Sequence, residues 1–204
     1  MPGPRVAVIG TGGTISSVGR HGLDLVAYLE NNKIYEVDEL LNAFPETLEQ
    51  GEVIPVRLRA MPSTSIGPSE WLEINEKIHQ LVADDPSLNG IVITHGTATL
   101  EETAYFMNLV VKVDIPVVLV GAQRPASGMG TDSGINLVNA IRTAGHPDSR
   151  GRGVLGVLND EIHFSRDMTK TSTLRQQTFK SPDFGLLGHA DWDKIAYYRM
   201  PERR

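Results

Sequence analysis

Two threonines and one lysine are the residues of this sequence whose types could carry out covalent chemistry together. Thr14 follows Gly12-Gly13, Thr97 follows His95-Gly96, and Lys170 comes 73 positions after Thr97. A threonine hydroxyl becomes a useful nucleophile when a base accepts its proton, and a lysine is such a base only when its pKa is lowered. Glycines beside Thr14 are expected to leave backbone N–H groups facing a developing oxyanion. The set predicts acyl transfer to water at an amide, ester or imide carbon.

Each of these residues also has a purely structural interpretation. Gly12-Gly13 is typical of a tight turn, and Thr97 and Thr99 are typical caps for a following helix. A lysine such as Lys170 is more often a solvated surface residue than a base. His95, directly after a strand, is more often a hydrogen-bonded supporting residue than a general base. The sequence alone leaves these alternatives open.

The first glycine-rich turn has a rival interpretation as a dinucleotide site. Gly10 and Gly12 match the first two glycines of G-x-G-x-x-G, but Ile15 occupies the third glycine position, where a large side chain prevents close helix–strand packing. No strand ending in Asp or Glu follows about 20 residues on, as ribose recognition requires. Glu161 and His163 lie close in sequence but do not form a metal-ligand pattern. We therefore predict no metal and no organic cofactor.

Composition excludes several classes of protein. The 204 residues include no cysteine, which excludes a disulfide framework and a thiol nucleophile and fits a reducing compartment. The formal net charge of −6 argues against a nucleic-acid partner, which needs a basic face. The apolar stretches are short of the roughly 20 residues that span a bilayer, and the first residues lack the apolar core of a signal peptide. We expect a cytoplasmic protein without a membrane or nucleic-acid partner.

Short apolar strands alternate with helical patterns, which predicts an α/β fold with a mostly parallel sheet flanked by helices. The predicted strands are 6–9, 53–58, 91–94, 116–120 and 154–158, with a late strand at 195–199; the proline within 53–58 indicates an edge. The predicted helices are 37–43, 70–83 and 135–144, together with one that begins at Glu101. The stretch before residue 37 is ambiguous, and Ser69 is predicted as the N-cap of the helix at 70–83. The helix from Glu101 is predicted to have an apolar face that includes Ala104, Tyr105, Leu109 and Val110. Parallel strands bring their carboxyl ends to one rim, so Thr14, Thr97 and Lys170 are expected to converge there.

Several motifs then agree in order and spacing with one family. The chain resembles the bacterial-type L-asparaginases and glutaminase-asparaginases over essentially its whole length. The motifs that carry the resemblance are Thr11-Gly12-Gly13-Thr14-Ile15, His95-Gly96-Thr97-Ala98-Thr99-Leu100-Glu101-Glu102-Thr103-Ala104, Gly121-Ala122-Gln123-Arg124-Pro125, Thr131-Asp132, Asn136-Leu137, Asn139-Ala140, Arg166-Asp167-Met168-Thr169-Lys170-Thr171 and Tyr197-Tyr198-Arg199-Met200-Pro201.

The resemblance implies an asparaginase-like N-terminal domain that hydrolyses amides through an acyl-enzyme, without a cofactor, as a homodimer or homotetramer. It implies that Thr14 is the nucleophile, that Tyr28 comes from a lid, and that Thr97 and Lys170 belong to a Thr-Lys-Asp triad. It assigns the substrate's carboxylate to Ser63. The further pocket residues that it implies are Gly13, Thr64, Gly96, Ala98 and Ala122. Residues 1–196 are expected to form this domain and 197–204 to begin a linker to a C-terminal domain that the chain lacks.

Two departures from the family pattern bear on the substrate. Ala98 stands where the family has the aspartate that belongs to the triad and contacts the substrate's α-ammonium, and Ser63 is followed by Thr64-Ser65 instead of a pair with a further carboxylate. Alanine can neither pair with Lys170 nor neutralise an ammonium. We therefore predict a carboxylate-bearing amide that lacks the α-amino group of asparagine. The alternative is a non-catalytic sensor domain that binds a small carboxylate.

Overall fold

The computed structural model describes residues 3–201, and the central feature is one eight-stranded sheet. The strands of the chain are β1 (Arg5–Gly12), β2 (Glu52–Met61), β3 (Gly90–Thr94), β4 (Val117–Val120), β5 (Val154–Leu158), β6 (Glu161–Phe164), β7 (Thr169–Lys170), β8 (Phe179–Lys180), β9 (Gly188–Ala190) and β10 (Ile195–Tyr197). The helices are α1 (Val37–Ala43), α2 (Pro68–Asp84), α3 (Leu100–Val110) and α4 (Ser133–Gly145). The large sheet has the order β10-β9-β6-β5-β4-β3-β1-β2, and β7 and β8 form a separate two-stranded sheet.

The five strands predicted for the parallel sheet are confirmed. β2, β1, β3, β4 and β5 pair in parallel in that order, and the proline-containing β2 lies at the edge. The inner strands β3, β4 and β5 are buried along their whole length, as expected for a sheet covered on both faces. The fold class predicted from the sequence is therefore correct.

Two hydrophobic cores lie on opposite faces of the sheet because successive residues of a strand point to opposite sides. Val6 and Val8 of β1 contribute to one core, and Ala7 and Ile9 contribute to the other. The first core is completed by α1 and α4, and the second by α2 and α3. This three-layer packing fixes the carboxyl ends of the parallel strands along one rim.

The sheet continues as an antiparallel extension that the sequence analysis missed in part. β6 pairs antiparallel with β5 across a tight turn, in which Asn159 and Asp160 have φ angles of 53° and 62°. Such angles are typical of a two-residue hairpin, and an Asn-Asp pair between two apolar runs is its sequence signal. β9 then pairs with β6, and β10, predicted as a late strand, pairs with β9.

Two details of the helix predictions are wrong. Ser69 does not cap α2, because the helix begins at Pro68, two residues before the predicted start, and Gly67 is its N-cap. The backbone N–H of Gly67 donates to Glu70 Oε2. Proline is well suited to a first helical position, because its missing N–H would be unpaired there anyway. Tyr105 and Leu109 lie on the exposed side of α3, whose buried face is formed by Leu100, Thr103, Ala104 and Met107.

The end of the described chain packs against the domain. The Tyr197 hydroxyl lies 2.6 Å from Ser149 Oγ, and Arg199 donates to Asp167 Oδ2 at 2.9 Å. Pro201 is buried. The predicted boundary after residue 196 stays a prediction, and residues 202–204 of the predicted linker lie outside the described residues. Within 3–201, no helix has the length and apolarity that a membrane crossing needs.

Candidate active site

Three turns meet at the carboxyl ends of β1, β2 and β3, and two glycines allow them to approach. A side chain on Gly13, whose φ is 86°, would place its Cβ 2.3 Å from the Cα of Gly96. A Cβ on Gly96 would in turn lie 2.7 Å from Ser63 Oγ. The turn after β3 is also joined to the turn after β2, because the Thr99 hydroxyl donates to the Ser63 carbonyl at 2.8 Å. The residues next to these contacts, Thr14 and Thr97, are thereby brought to one pocket.

Thr14 begins a short 3₁₀ turn directly after Gly13, and its side chain meets a tyrosine. Its Oγ1 lies 2.8 Å from the hydroxyl of Tyr28. Tyr28 belongs to a loop that covers the pocket, residues 20–32, which we call the lid segment. The two hydroxyls form a pair in which either oxygen can be the donor. The expectation that the glycine N–H groups stay free is wrong for Gly13, whose N–H donates to the Met61 carbonyl at 3.1 Å.

Lys170 points at Thr97 and not into bulk water. Its Nζ donates to Thr97 Oγ1 at 2.7 Å. β7 presents Lys170, and the carboxylate of Glu101 anchors this strand by accepting from Thr169 Oγ1 at 3.0 Å and from the backbone N–H of Lys170. Partial burial lowers the pKa of Lys170 below its ordinary value, and the charge of Glu101 acts in the opposite direction. The burial is the effect that favours the neutral amine a base requires, and the charge of Glu101 opposes it.

His95 is a supporting residue, as its structural interpretation predicts. It is fully buried, and the loss of hydration lowers its pKa to about 4, so the ring is neutral at pH 7. Its Nδ1–H donates to the Gly96 carbonyl at 2.8 Å, which leaves Nε2 to accept from the Thr103 hydroxyl at 3.0 Å. Trp71 completes the chain by donating to Thr103 Oγ1. The network fixes the turn that carries Thr97.

The turn after β4 is organised by a buried carboxylate that the sequence analysis did not interpret. Asp132 accepts from the backbone N–H groups of Gln123 and Arg124, each at 3.0 Å. Asn136 donates to Asp132 Oδ2 and to the Gly121 carbonyl. This arrangement places Gln123 in the pocket lining, and the Nε2 atom of its buried amide has no hydrogen-bond partner within residues 3–201.

The pocket has a volume of about 260 Å³, which suits a small molecule and not a polymer. Nine of the ten residues predicted for the site line it, and Ala122 does not, because its side chain is buried in the hydrophobic core. Sequence reasoning missed seven lining residues. The complete lining is Gly13, Thr14, Leu25, Val26, Tyr28, Leu29, Pro62, Ser63, Thr64, Gly96, Thr97, Ala98, Gln123, Lys170, Thr173 and Leu174.

The lining carries one cation and, among the described residues, no Asp or Glu. Two acids that follow Ala98 in sequence, Glu101 and Glu102, line a separate outer groove that shares Ala98 and Lys170 with the pocket. Glu101 is already engaged by β7. Nowhere in residues 3–201 do three His, Asp or Glu side chains converge as metal ligands do.

Two hydrogen bonds join the lid segment to the rest of the domain. The Met129 N–H donates to the Gly22 carbonyl at 2.7 Å, and the Asn31 side-chain amide donates to the Val18 carbonyl at 2.8 Å. Within the lid segment, Asp24 Oδ2 accepts from the backbone of Arg20 at 3.0 Å. The lid segment therefore has a defined position, in which Leu25, Val26 and Leu29 face the pocket beside Tyr28.

Comparisons with known proteins agree with this geometry. A family model described as "Asparaginase, N-terminal" matches residues 5–203. The chain is 40% identical over 201 residues to a probable periplasmic L-asparaginase of Haemophilus influenzae and 40% identical over 203 residues to L-asparaginase 2 of Escherichia coli K12, in each case covering 98% of this chain and 56% of the relative. It is 39% identical over 200 residues to a glutaminase-asparaginase of Pseudomonas fluorescens, covering 98% of this chain and 54% of that protein.

Solved structures give the same result. The crystal structure of a probable cytoplasmic L-asparaginase from Campylobacter jejuni superimposes with a TM-score of 0.91 at 35% identity, covering 98% of this chain and 59% of that one. The chain thus spans about half the length of the relatives that it matches.

Proposed function

The chain belongs to the asparaginase family, and from that premise we propose that it hydrolyses the C–N bond of a small, carboxylate-bearing amide with Thr14 as the nucleophile. The observation that carries the proposal is the convergence of two hydroxyl contacts on one pocket: Thr14 with Tyr28 at 2.8 Å, and Thr97 with Lys170 at 2.7 Å. An activated hydroxyl and a base beside it are what nucleophilic catalysis by threonine requires.

The two contacts suit the two halves of a hydrolysis. In the first half, the Thr14 oxygen bonds to the amide carbon; its proton passes to Tyr28, whose own proton goes to the departing nitrogen, and ammonia leaves. In the second half, a water oxygen attacks the Thr14 ester, and the Thr97–Lys170 pair takes the water's proton. As the bond from the Thr14 oxygen to the acyl carbon breaks, that proton is passed on to the Thr14 oxygen, so that the carboxylic acid product leaves and both Thr14 and the Thr97–Lys170 pair return to their starting state. The role of Lys170 requires its neutral amine, which the lowered pKa makes more accessible.

The substrate that fits this pocket lacks an ammonium group. Ala98 provides no charge, and no Asp or Glu occurs among the described lining residues. An ammonium bound there would lose hydration without gaining an anionic partner, which typically costs a few kcal/mol. Ser63, buried at the wall, is proposed to hold the substrate's carboxylate, with Gly13, Thr64 and Gly96 around it. Succinamate, which is asparagine without its amino group, has the required chemistry.

The test uses the full-length natural protein and measures ammonia release from succinamate. We expect Thr14→Val to lower kcat/KM by at least about 10³-fold, since removal of a nucleophile abolishes the covalent route. Acid-quenched reactions are expected to show the acyl group on the peptide that contains Thr14, by mass spectrometry. Tight binding of succinamate without ammonia release or acylation would instead support the alternative, a carboxylate sensor.

The proposal extends to assembly and location. We propose a homodimer or homotetramer, to be measured by light scattering, and a cytoplasmic location, to be measured by cell fractionation. The lack of cysteine in the sequence fits a reducing compartment. Among the relatives, the Campylobacter jejuni enzyme is described as cytoplasmic and the Haemophilus influenzae enzyme as periplasmic.

A further inference from the structure

One wall of the pocket is apolar, and the chemistry described above does not use it. Leu25, Val26 and Leu29 line it from the lid segment, and Leu174 lines it from the loop between β7 and β8. Ala98 adds a further apolar side chain to the lining. The hydroxyls and the amine described above belong to the same lining. The pocket therefore offers apolar contacts beside the proposed reactive groups.

This wall is open to water. The exposed fractions are 76% for Val26, 70% for Leu174 and 50% for Leu29. Exposed large apolar side chains grouped at a pocket are typical of a surface that a ligand covers, because covering them removes apolar area from water. The bond from the Met129 N–H to the Gly22 carbonyl joins the lid segment, which carries Val26 and Leu29, to the domain, so this part of the wall has a defined position before a ligand arrives.

From these observations we propose that the natural substrate bears an apolar substituent, alkyl or aryl, which packs against Leu25, Val26, Leu29 and Leu174. The inference rests on the proposed amidohydrolase function and names its substrate class: carbon-substituted monoamides of a four-carbon dicarboxylic acid. The carboxylate faces Ser63, the amide carbon faces Thr14, and the substituent occupies the space where an ammonium would find no anion. The wall's continuity with Thr14 and Lys170 in one pocket favours a substrate over a second copy of the chain as its occupant.

The lid segment offers a matched control for this proposal. Leu23 is 69% exposed, close to the 76% of Val26, but it does not line the pocket. Leu23→Asn and Val26→Asn therefore make the same kind of surface change, and Val26→Asn alone alters the wall. Leu174→Asn alters the wall from a different element and guards against an effect confined to the lid segment.

The experiment measures kcat/KM of the full-length protein for succinamate and for its methyl-, butyl- and benzyl-substituted forms. We expect kcat/KM to rise about fourfold for each methylene that the wall covers. Val26→Asn and Leu174→Asn should each lower the benzyl-to-succinamate ratio by about tenfold, whereas Leu23→Asn should leave the ratio unchanged. A flat series with active succinamate turnover would overturn the inference and leave the proposed function standing.

A second measurement does not depend on turnover. Isothermal titration with benzylsuccinate and with succinate should show at least tenfold tighter binding of benzylsuccinate, and Val26→Asn should remove the difference. Equal affinities of succinate and benzylsuccinate would overturn the inference, whether or not any amide is hydrolysed. Failure of every amide to release ammonia would instead defeat the proposed function. Val26→Asn could also change the molar mass in solution while leaving intact both the kcat/KM preference for the benzyl-substituted amide and the tighter binding of benzylsuccinate. In that case the wall would be a contact between copies of the chain, and the inference would fail.

Discussion

Ala98 is the side chain on which the proposed substrate most depends. It lines both the pocket and the outer groove, and it lies next to Thr97, whose hydroxyl oxygen accepts a hydrogen bond from the Lys170 amine. A carboxylate at this position would be able to pair with Lys170 and to receive a substrate ammonium. The methyl group does neither. The Thr97–Lys170 contact is present with alanine at this position, and the proposed change concerns the substrate alone.

The first prediction restores the missing charge. Ala98→Asp should raise the ratio of kcat/KM for asparagine to that for succinamate by about 10- to 100-fold, because an ammonium gains an anionic partner. The measurement is ammonia release from both amides. Ala98→Asn is the matched control, with nearly the same shape and no charge, and it should leave the ratio within about threefold. An equal gain from both variants would show that size, not charge, governs the discrimination.

Glu101 is predicted to set the pH dependence through Lys170. The base must be neutral, so activity should rise with pH through the pKa of Lys170, which burial lowers and Glu101 raises. Glu101→Gln removes the negative charge, and the pKa of Lys170 should fall further. The rising limb of kcat/KM against pH should therefore move to lower pH.

The control for this prediction is the neighbouring carboxylate. Glu102 is exposed and follows Glu101 on α3, and Glu102→Gln should leave the pH profile in place. A shift of the limb to higher pH in Glu101→Gln would contradict the assignment of Lys170 as the base. Protein stability, followed by urea unfolding, would reveal any loss of the bonds from Thr169 and Lys170 to Glu101.

The turn after β1 decides whether these residues meet. Gly13→Ala is predicted to lower activity by at least about 100-fold, because its Cβ would lie 2.3 Å from the Gly96 backbone, and its φ of 86° is strained for a side-chain-bearing residue. The two turns would have to separate, which moves Thr14 away from Thr97. Ammonia release and the urea midpoint are the measurements.

Gly22→Ala provides the comparison for this turn. A Cβ at Gly22 would meet its nearest neighbour, Met129 Cβ, at 3.8 Å, an ordinary contact. The variant should keep both activity and stability. Full activity in Gly13→Ala would mean that the turn can reorganise without losing the site.

Element by element, the sequence predicted what depends on local pattern. The parallel strands followed from short apolar β-branched runs, and α1 was predicted with its exact bounds, 37–43. The errors lie where long-range packing overrides local signals. Tyr105 and Leu109 look like core residues by helical spacing, yet the sheet packs against the face of α3 that contains Thr103 and Met107. β7 and β8 are two residues long and carry no periodic signal, yet β7 positions Lys170.

The packing of one sheet between two layers of helices explains how residues far apart in the chain come close together in space. Thr14 and Thr97 follow β1 and β3 at the rim of the large sheet, and Lys170 reaches the same pocket from β7 of the small sheet. The probable cytoplasmic L-asparaginase of Campylobacter jejuni shares this fold over the 59% of its length that the chain covers. Tyr197 and Arg199 contact Ser149 and Asp167 of the same domain.

The amino-acid sequence by itself determined the fold class, the family and the candidate nucleophile, because apolar periodicity and contiguous motifs are local properties. It also located the departure at Ala98. The tertiary structure alone decided that Lys170 reaches Thr97 across 73 positions, that Glu101 influences that lysine, and that four large apolar side chains line the same pocket. These facts depend on distance and burial in three dimensions. Local sequence patterns do not specify these distances and this burial, because they arise only when the helices pack against the sheet.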